Sequence, residues 1–472
     1  MTHYDCDICI IGGGSGGLSL AAGAAQMGAK VILFEAAAMG GDCLNSGCVP
    51  SKALLAAAKA AHYAGGAPRM GVTATPPKID FAAVKANVAA VIDGIAPHDS
   101  VERFEALGVS VITEHAAFTG PREVASNHHR VRAKYFVIAT GSKPVIPPID
   151  GLEDADFHTN ETIFADPAKP SHLVIIGGGP IGMEMAQAHI RLGVDVTLVE
   201  ALSVMARDDG ELVTMLKTQL KDEGVTFIEG VGVTSVRQIQ PNNISLTLAD
   251  GRSLKASHLL IATGRRPVTA GLNLPDAGVD CGKNGIVTDR RLRTSNKRIY
   301  AIGDVTGRQQ FTHMANYHAG ICLRNILFKY PAKMNETAVP WVTYCDPELA
   351  HVGQTHDAAI ACWGADNVTV TRWDLADNDR ARTDHRTAGM VKAVIHKNGR
   401  ILGASILAPV AGEMIQPWIL AIANKQKIAR MATMIAPYPT YGEASKRAAG
   451  NFFTVKLFGK TTQKLVRFLL RF

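Results

Sequence analysis

One glycine pattern occurs twice in this chain, and it limits the fold more than any other feature. Gly12, Gly14 and Gly17 fit G-x-G-x-x-G, and so do Gly177, Gly179 and Gly182. Each set follows a β-like run, Cys6 to Ile11 in the first and His172 to Ile176 in the second. Each opens a helix-like run, from Leu18 to Gly28 and on through Leu192. A second β-like run follows, Val31 to Phe34 and Val196 to Val199, ending in Glu35 and Glu200. Both acids stand 23 residues after the first glycine of their set. The glycines permit a tight turn, let backbone approach a pyrophosphate and let helix sit close to strand. The helix N-terminus offers free N–H groups to phosphate, and the acid is placed to accept from ribose hydroxyls. The same order twice predicts an α/β fold with two Rossmann-like units, each holding a dinucleotide.

Size and composition agree with a multidomain globular chain. At roughly 100–200 residues per domain, 472 residues make about three or four. The apolar share is 47% and the charged share 19%, enough for packed cores. Forty-nine basic against 42 acidic residues leave +7, a mild excess with no Lys/Arg run, so no nucleic-acid partner is expected. No stretch approaches the roughly 20 apolar residues of a membrane span. The N-terminus enters Cys6–Ile11 with no basic leader, which predicts a cytoplasmic protein. Eight cysteines then do not form a disulfide scaffold, and a close pair among them is redox-active or metal-binding.

That close pair is Cys43 and Cys48, in Gly40-Gly41-Asp42-Cys43-Leu44-Asn45-Ser46-Gly47-Cys48-Val49-Pro50-Ser51-Lys52. On a strand the two would stand about 16 Å apart, and on a regular helix they would point about 140° apart. For the sulfurs to meet, the segment has to make a distorted turn, which Asn45, Ser46 and Gly47 suit. Pro50 suits the start of a helix over Ala53–Ala61, whose N-terminus would lower a thiol pKa. A buried pair or a metal site is the plainer alternative. A metal needs two more nearby ligands, and none stands at the right spacing, so redox chemistry is favoured.

The segment G-G-x-C-x-x-x-x-C-x-P-S-K resembles the class I pyridine nucleotide–disulfide oxidoreductases, and the resemblance extends over nearly the whole chain. It implies an FAD- and NAD(P)-dependent enzyme with a Cys43–Cys48 disulfide. Cys48 would face the flavin as the charge-transfer thiolate, Cys43 would meet substrate, and Lys52 would lie near flavin N5. Glu184 would pair with Lys52 instead of standing on an exposed helix face. Gly41 belongs to the flavin side of the same segment. Ala139-Thr140-Gly141-Ser142 and Ala262-Thr263-Gly264-Arg265 resemble the family's crossovers, the second as the exit from the NAD domain. Asp304 would accept from the ribityl chain, and Thr312–Ala315 would begin a helix facing the flavin. His313 is expected to be structural. Glu200 accepts from a free 2′-hydroxyl and repels a 2′-phosphate, so NADH is expected over NADPH, with Arg207 the nearby cation.

The implied organisation is an FAD-binding domain with the redox disulfide at 1–150 and an NAD(P)-binding domain at 151–268. A central segment at 269–338 completes the FAD site, and 339–472 form a C-terminal α+β dimerisation domain. Within the last, Trp341–Cys345, Asn367–Asp374 and Gly389–Leu407 read as antiparallel strands, with a hairpin turn at Asn398-Gly399. Helices are expected at Gly412–Lys425 and Gly442–Phe452.

Thiol-substrate members of the family carry His-Pro-Thr-x-x-Glu where this chain has Tyr438-Pro439-Thr440-Tyr441-Gly442-Glu443. The implied base pair across the dimer is then Tyr438 and Glu443. A phenol near pKa 10 is a poor base at neutrality, whereas imidazole near 6.5 is well placed. The mercuric reductase side of the family resembles this chain in having tyrosine at that place, and Asp379-Arg380-Ala381 and Ala411-Gly412-Glu413 resemble it too, so the resemblance implies a mercuric reductase-like acceptor, a soft metal ion or a related molecule, as the first reading. A dihydrolipoamide dehydrogenase-like disulfide reductase is the alternative, as is a flavin-bearing electron-transfer or quinone-reducing protein at a membrane surface. Cys6, Cys9, Cys281, Cys322, Cys345 and Cys362 read as small buried residues. From Lys464 the tail reads Lys-Leu-Val-Arg-Phe-Leu-Leu-Arg-Phe, a short basic amphipathic helix. It is expected to pack on the dimer or on its own subunit, or else to make weak contact with an anionic membrane surface.

Overall fold

The strand Thr2–Ile11 has Val31–Phe34 on one side and His129–Ile138 on the other, all parallel. Val109–Ile112 extends the sheet beyond Val31–Phe34, and Ile299–Ala301 also pairs in parallel with His129–Ile138. A hairpin, Ala117–Gly120 and Glu123–Ala125, continues it antiparallel. Ile8, Ile10, Val31, Ile32, Leu33 and Val137 are all buried. That explains their continuous apolar runs, because a parallel sheet covered on both faces has no solvent side to alternate with. Helices Ser15–Gln26 and Thr312–Ile326 share one of its cores, through Leu18, Leu20, Ala21, Ile321 and Cys322. The computed structural model describes residues 1–67 and 70–472.

This sheet belongs to a unit formed by Met1–Ala58, Lys78–Gly177 and Gly232–Asn335. The same unit contains the parallel pair His172–Ile176 and His258–Ile261 and an antiparallel sheet of Val233–Gln240, Asn243–Leu248 and Ser253–Ala256. The two crossover runs pair with each other as short antiparallel strands, Ser142–Pro144 with Arg265–Pro267.

A second unit comprises Lys59–Pro77, Gly178–Val231 and Glu336–Phe472. Asp195–Glu200 pairs in parallel with Thr226–Glu229. The helix Pro180–Arg191 ends in a buried anchor: Arg191, its side chain 4% exposed, pairs with Glu223 at 2.7 Å and Asp346 at 2.9 Å. A five-stranded antiparallel sheet runs Pro340–Thr343, Glu348–Gly353, Ile401–Ala408, Met390–His396 and Val368–Asp374. The Asn398-Gly399 turn joins two of these strands as expected, with Gly399 at φ 87°. Glu348–Gly353 was not foreseen, since His351 interrupts its apolar run. The single helix expected over Gly412–Lys425 is two, Ala411–Met414 and Gln416–Ala423, because Pro417 removes a backbone donor at the junction. The core beside this sheet centres on Trp418, whose Nε1 donates to Ser445 Oγ at 3.0 Å.

Two sequence expectations need correction. Cys6, Cys9, Cys322 and Cys345 are buried, but Cys281 and Cys362 are exposed. The first sits in a two-residue strand and the second in the last turn of the surface helix His356–Trp363, where only Ala359 is buried. The tail does form the expected helix, Lys460–Leu469, but among the described residues it buries no side chain on its own subunit. Leu465, Phe468 and Leu469 stay more than half exposed, and Leu470 and Phe472 reach 80% and 96%. Among the described residues no helix is long and apolar enough to cross a membrane.

Candidate active site

The redox segment folds as the distorted turn its spacing demanded. Cys43 lies in the short helix Gly41–Asn45, the chain breaks at Ser46-Gly47, and Cys48 opens the helix Cys48–Ala64. Gly40 and Gly41 take φ 87° and 60° to lead in. Asn45 Nδ2 donates to the carbonyls of Met39 and Gly41 at 3.0 and 2.8 Å. Ser46 Oγ donates to Asp42 Oδ1 at 2.8 Å. A Cβ at Gly47 would stand 2.9 Å from the Asp42 carbonyl, so glycine is required there.

Both cysteines are free thiols in hydrogen-bond contact, Cys43 half-buried and Cys48 exposed. Cys48 is lowered to about 6, first by the hydrogen bond from Cys43 and then by Thr312 and the charge of Lys52, against burial. Cys43 is pushed up, because it is the donor to Cys48 and because it is partly buried. Cys48 therefore ionises first, and Lys52, one turn along the same helix, supports the charge. Thr312 Oγ1 lies 3.3 Å from Cys48 Sγ. Sequence reading had used Thr312 only as a helix start.

Asp42 anchors a polar network that sequence reading missed. Asn160 Nδ2 donates to Asp42 Oδ1 and to the Ser46 carbonyl, both at 3.0 Å. Arg265 approaches Asp42 at 3.3 Å and donates to Ser142 Oγ and the Ser142 carbonyl, each at 2.8 Å, and to Asn160 Oδ1 at 3.2 Å. The described partners of Arg265 thus all belong to the redox segment and its surroundings, although its position in the chain suggested the other nucleotide. No spacing rule links residues 42, 160 and 265. Ser142 Oγ also donates to Asp304 Oδ2 at 2.6 Å, and burial raises the Asp304 carboxyl. Thr140 Oγ1 donates to the Val268 carbonyl at 2.6 Å, and Gly141 and Gly264 take φ 68° and 117°.

The two glycine turns have the geometry a pyrophosphate needs. Helices Ser15–Gln26 and Pro180–Arg191 begin at Gly14 and Gly179 with no side-chain cap and no acid in the first turn. Asp80, Ser100, Asp209, Thr355 and Asn378 cap other helix starts, whereas Phe311, Lys427 and Gly459 do not, so it is the glycine turn before the helix that sets these two apart. Uncapped N–H groups at a helix start are an anion site. A Cβ at Gly17 would stand 1.9 Å from the Gly12 carbonyl oxygen, which reserves that position for glycine. Gly182 is buried in its helix. Glu35 accepts from the N–H groups of Gly13 and Ala37 at 2.6 and 2.8 Å, and Glu200 from those of Gly178 and Leu202 at 2.7 and 2.9 Å. Both carboxylates are oriented by backbone and retain acceptor capacity for ribose hydroxyls. The residues present therefore fit two dinucleotides.

Glu184 is buried, not exposed, and accepts from the Tyr344 N–H at 2.9 Å. Tyr438 and Glu443 do not pair with each other. The exposed Tyr438 hydroxyl donates to Asp379 Oδ2 at 2.9 Å, while Glu443 Oε1 accepts from Arg447 at 2.7 and 2.9 Å. The bond to Asp379 and the aspartate charge raise the phenol above its usual value, further from use as a base near neutrality.

Comparison with known proteins gives the family of the chain. Residues 6–319 match the family described as pyridine nucleotide-disulphide oxidoreductase, and residues 339–449 match the dimerisation domain of that family. The chain is 37% identical over 462 residues to a mercuric reductase of Streptomyces lividans, covering 96% of this chain and 97% of that one. It is 33% identical over 460 residues to a dihydrolipoyl dehydrogenase of Thermus scotoductus, covering 94% and 96%. Among solved structures it is similar to the Cu(II) complex of the HOCl-induced flavoprotein disulfide reductase RclA from Escherichia coli. That likeness has a TM-score of 0.85 and 28% identity over 93% of this chain and 99% of the other.

Proposed function

The chain belongs to the pyridine nucleotide-disulphide oxidoreductase family, and from that premise we propose that it passes electrons from NADH through FAD and the Cys43–Cys48 pair to a soft metal ion or a related acceptor. The observation that carries this reading is the pair itself, two adjacent thiols of which one ionises near pH 6. The Gly12–Gly17 turn, Glu35, Gly41, Thr140, Gly141, Lys52 and Asp304 hold FAD. The Gly177–Gly182 turn, Glu200 and Gly264 hold the nicotinamide nucleotide. When bound, the two cofactors together supply a two-electron relay from NADH to a disulfide.

The protein's own part is to hold and move protons and to present sulfur. Lys52 and Thr312 stabilise Cys48 as a thiolate after the disulfide opens, and Cys43 keeps its proton until it meets the acceptor. Paired soft sulfur ligands favour a soft ion such as Hg(II). The phenol held by Asp379 is unsuited to the proton transfers that lipoamide or glutathione would need. Similarity to mercuric reductases supports the same choice. Residues 339–472 form the interface of a cytoplasmic homodimer, to which Tyr438 and Glu443 belong.

Turnover with NADH and a panel of acceptors (Hg(II), Cu(II), lipoamide, a quinone, glutathione disulfide) tests the proposal. Hg(II) is expected to lead the panel. Cys43→Ser should retain FAD and fall to the buffer rate with that acceptor. Lipoamide leading would establish the dihydrolipoamide dehydrogenase-like reading, and full turnover in Cys43→Ser would remove the relay altogether.

The exposed tail makes at most weak, salt-sensitive contact with anionic lipid, as three charges at about 1 kcal/mol each allow. Vesicle sedimentation of the full chain against a chain ending at Gly459 measures this. Equal recovery of both in the supernatant at low salt would leave the tail as a packing element.

A further inference from the structure

Well outside the redox segment in sequence, three side chains that no motif connects converge in the first unit. His158 and His258 lie 100 residues apart, and Asp166 follows His158 by eight. The His158 backbone runs alongside the strand His258–Ile261, with its N–H donating to the Leu259 carbonyl at 2.7 Å and its carbonyl accepting from the Ile261 N–H at 2.8 Å. The two imidazoles stack at 5.8 Å with 8° between their planes. Asp166 is fixed by its other oxygen, Oδ1, which accepts from the Ala168 N–H at 2.9 Å. Its Oδ2 lies 3.2 Å from His158 Nε2 and 3.4 Å from His258 Nε2.

The outer nitrogens are occupied by hydroxyls. His158 Nδ1 lies 3.2 Å from Thr162 Oγ1, and His258 Nδ1 lies 3.0 Å from Ser257 Oγ. Ser257 Oγ in turn accepts from the N–H groups of Ser171 and His172, each at 3.0 Å, and lies 3.0 Å from the His172 carbonyl, so it is held firmly in place beside the His258 ring.

The distances fit a metal. Bonds of about 2.0–2.2 Å to nitrogen and oxygen make a tetrahedron with edges of roughly 3.3–3.5 Å. Two edges of this triangle measure 3.2 and 3.4 Å, and all three ligand atoms lie within 4.8 Å of one another. The cluster opens on a surface cavity of about 370 Å³, which leaves room for water as a fourth ligand. Hydroxyl partners on the outer nitrogens are the kind of support that orients metal-binding histidines. Lys85 is the charged group that works against a cation. Its Nζ is turned to backbone, donating to the Ile163 carbonyl at 2.5 Å.

We propose that His158, Asp166 and His258 form a binding site for a divalent transition-metal ion of zinc-like preference, separate from the redox cysteines. The bound ion fastens the 158–166 turn to the strand His258–Ile261. That turn carries Asn160, which holds Asp42 and the Ser46 carbonyl, and the strand leads on to Arg265. The site is thus a structural fastening for two supports of the redox segment. It does not depend on which acceptor the enzyme reduces.

The test is Zn²⁺ binding to metal-stripped, oxidised, FAD-loaded full-length protein, by calorimetry or competition with a coloured chelator. Wild type is expected to bind an ion that Asp166→Asn and His258→Gln bind at least about 100-fold more weakly. Both variants should keep flavin and NADH oxidation. Added Zn²⁺ should raise the melting temperature of wild type and leave that of Asp166→Asn unchanged, and binding should strengthen as pH rises through the imidazole range. Because the thiols are the same in all three proteins, the difference reports this cluster alone. Equal Zn²⁺ affinity and stoichiometry in wild type and Asp166→Asn would overturn the proposal and leave the cluster as a hydrogen-bonded fastening without metal.

Discussion

The two glycine turns are built alike and surrounded differently. Gly12 and Gly177 take φ 112° and 115°, and a Cβ on either would stand 2.4 Å from a carbonyl oxygen, that of Ala139 or Ala262. Their acids accept the same two backbone bonds, with lengths that differ by 0.1 Å. The first turn, however, carries the redox segment against it. Gly40 donates its N–H to the Gly13 carbonyl at 3.0 Å, and a Cβ on Gly41 would come within 2.8 Å of Gly14 Cα. The second turn has its own backing, for Met205 donates its N–H to the Gly178 carbonyl at 2.9 Å and a Cβ on Gly178 would stand 2.6 Å from Val204 Cγ1, but that segment carries no cysteine. The same local solution is thus backed by the close cysteine pair in one case and by a segment without thiols in the other.

The largest expected effects come from putting a methyl group on each turn. Gly12→Ala combines a disfavoured backbone angle, about 1–3 kcal/mol, with a collision that the Ala139 carbonyl cannot easily avoid. It should be purified largely without flavin. Gly177→Ala meets the same obstacle but should stay yellow and show a raised KM for NADH. Absorbance ratios and steady-state kinetics read both outcomes, and loss of flavin from Gly177→Ala would break the comparison.

A smaller effect sharpens the assignment of the second turn. Glu200→Ala should lower the NADH/NADPH ratio of kcat/KM by about 5–150-fold, equivalent to 1–3 kcal/mol for the lost bond and repulsion. A wild type that prefers NADPH would show that Arg207 outweighs the carboxylate.

The smallest effect belongs only to the thiols behind the first turn. Cys48 has its pKa lowered to about 6, so it is a thiol below that pH and a thiolate above it. Alkylation of NADH-reduced enzyme by iodoacetamide should accelerate about tenfold between pH 5 and 7 and then level off. A rate still climbing steeply from pH 7 to 9 would mean an ordinary thiol near 8.5, with no support from Cys43, Thr312 and Lys52.

Much of this was legible in the residues. Glycine spacing predicts both turns because steric exclusion of Cβ is a local property, and the acids could be placed because strand and helix lengths repeat. The five-residue cysteine spacing demanded a break at Ser46-Gly47, and the chain breaks there. Pro417 was equally visible as a helix breaker, yet the apolar run from Gly412 to Lys425 concealed it.

Side-chain partners were another matter. The sequence by itself determined the two glycine turns, the close cysteine pair and the absence of histidine at position 438, since each depends on neighbours a few residues apart or on one residue's chemistry. Only the tertiary structure decided that Arg265 turns to Asp42 and Ser142, that Asp379 holds the Tyr438 phenol, and that Glu184 is buried against Tyr344. It alone brought His258 beside His158 and Asp166. The reason is physical. Backbone turns follow from steric limits within a short stretch of chain, whereas a charged or polar side chain pairs with whatever the packing of distant segments leaves within about 3 Å.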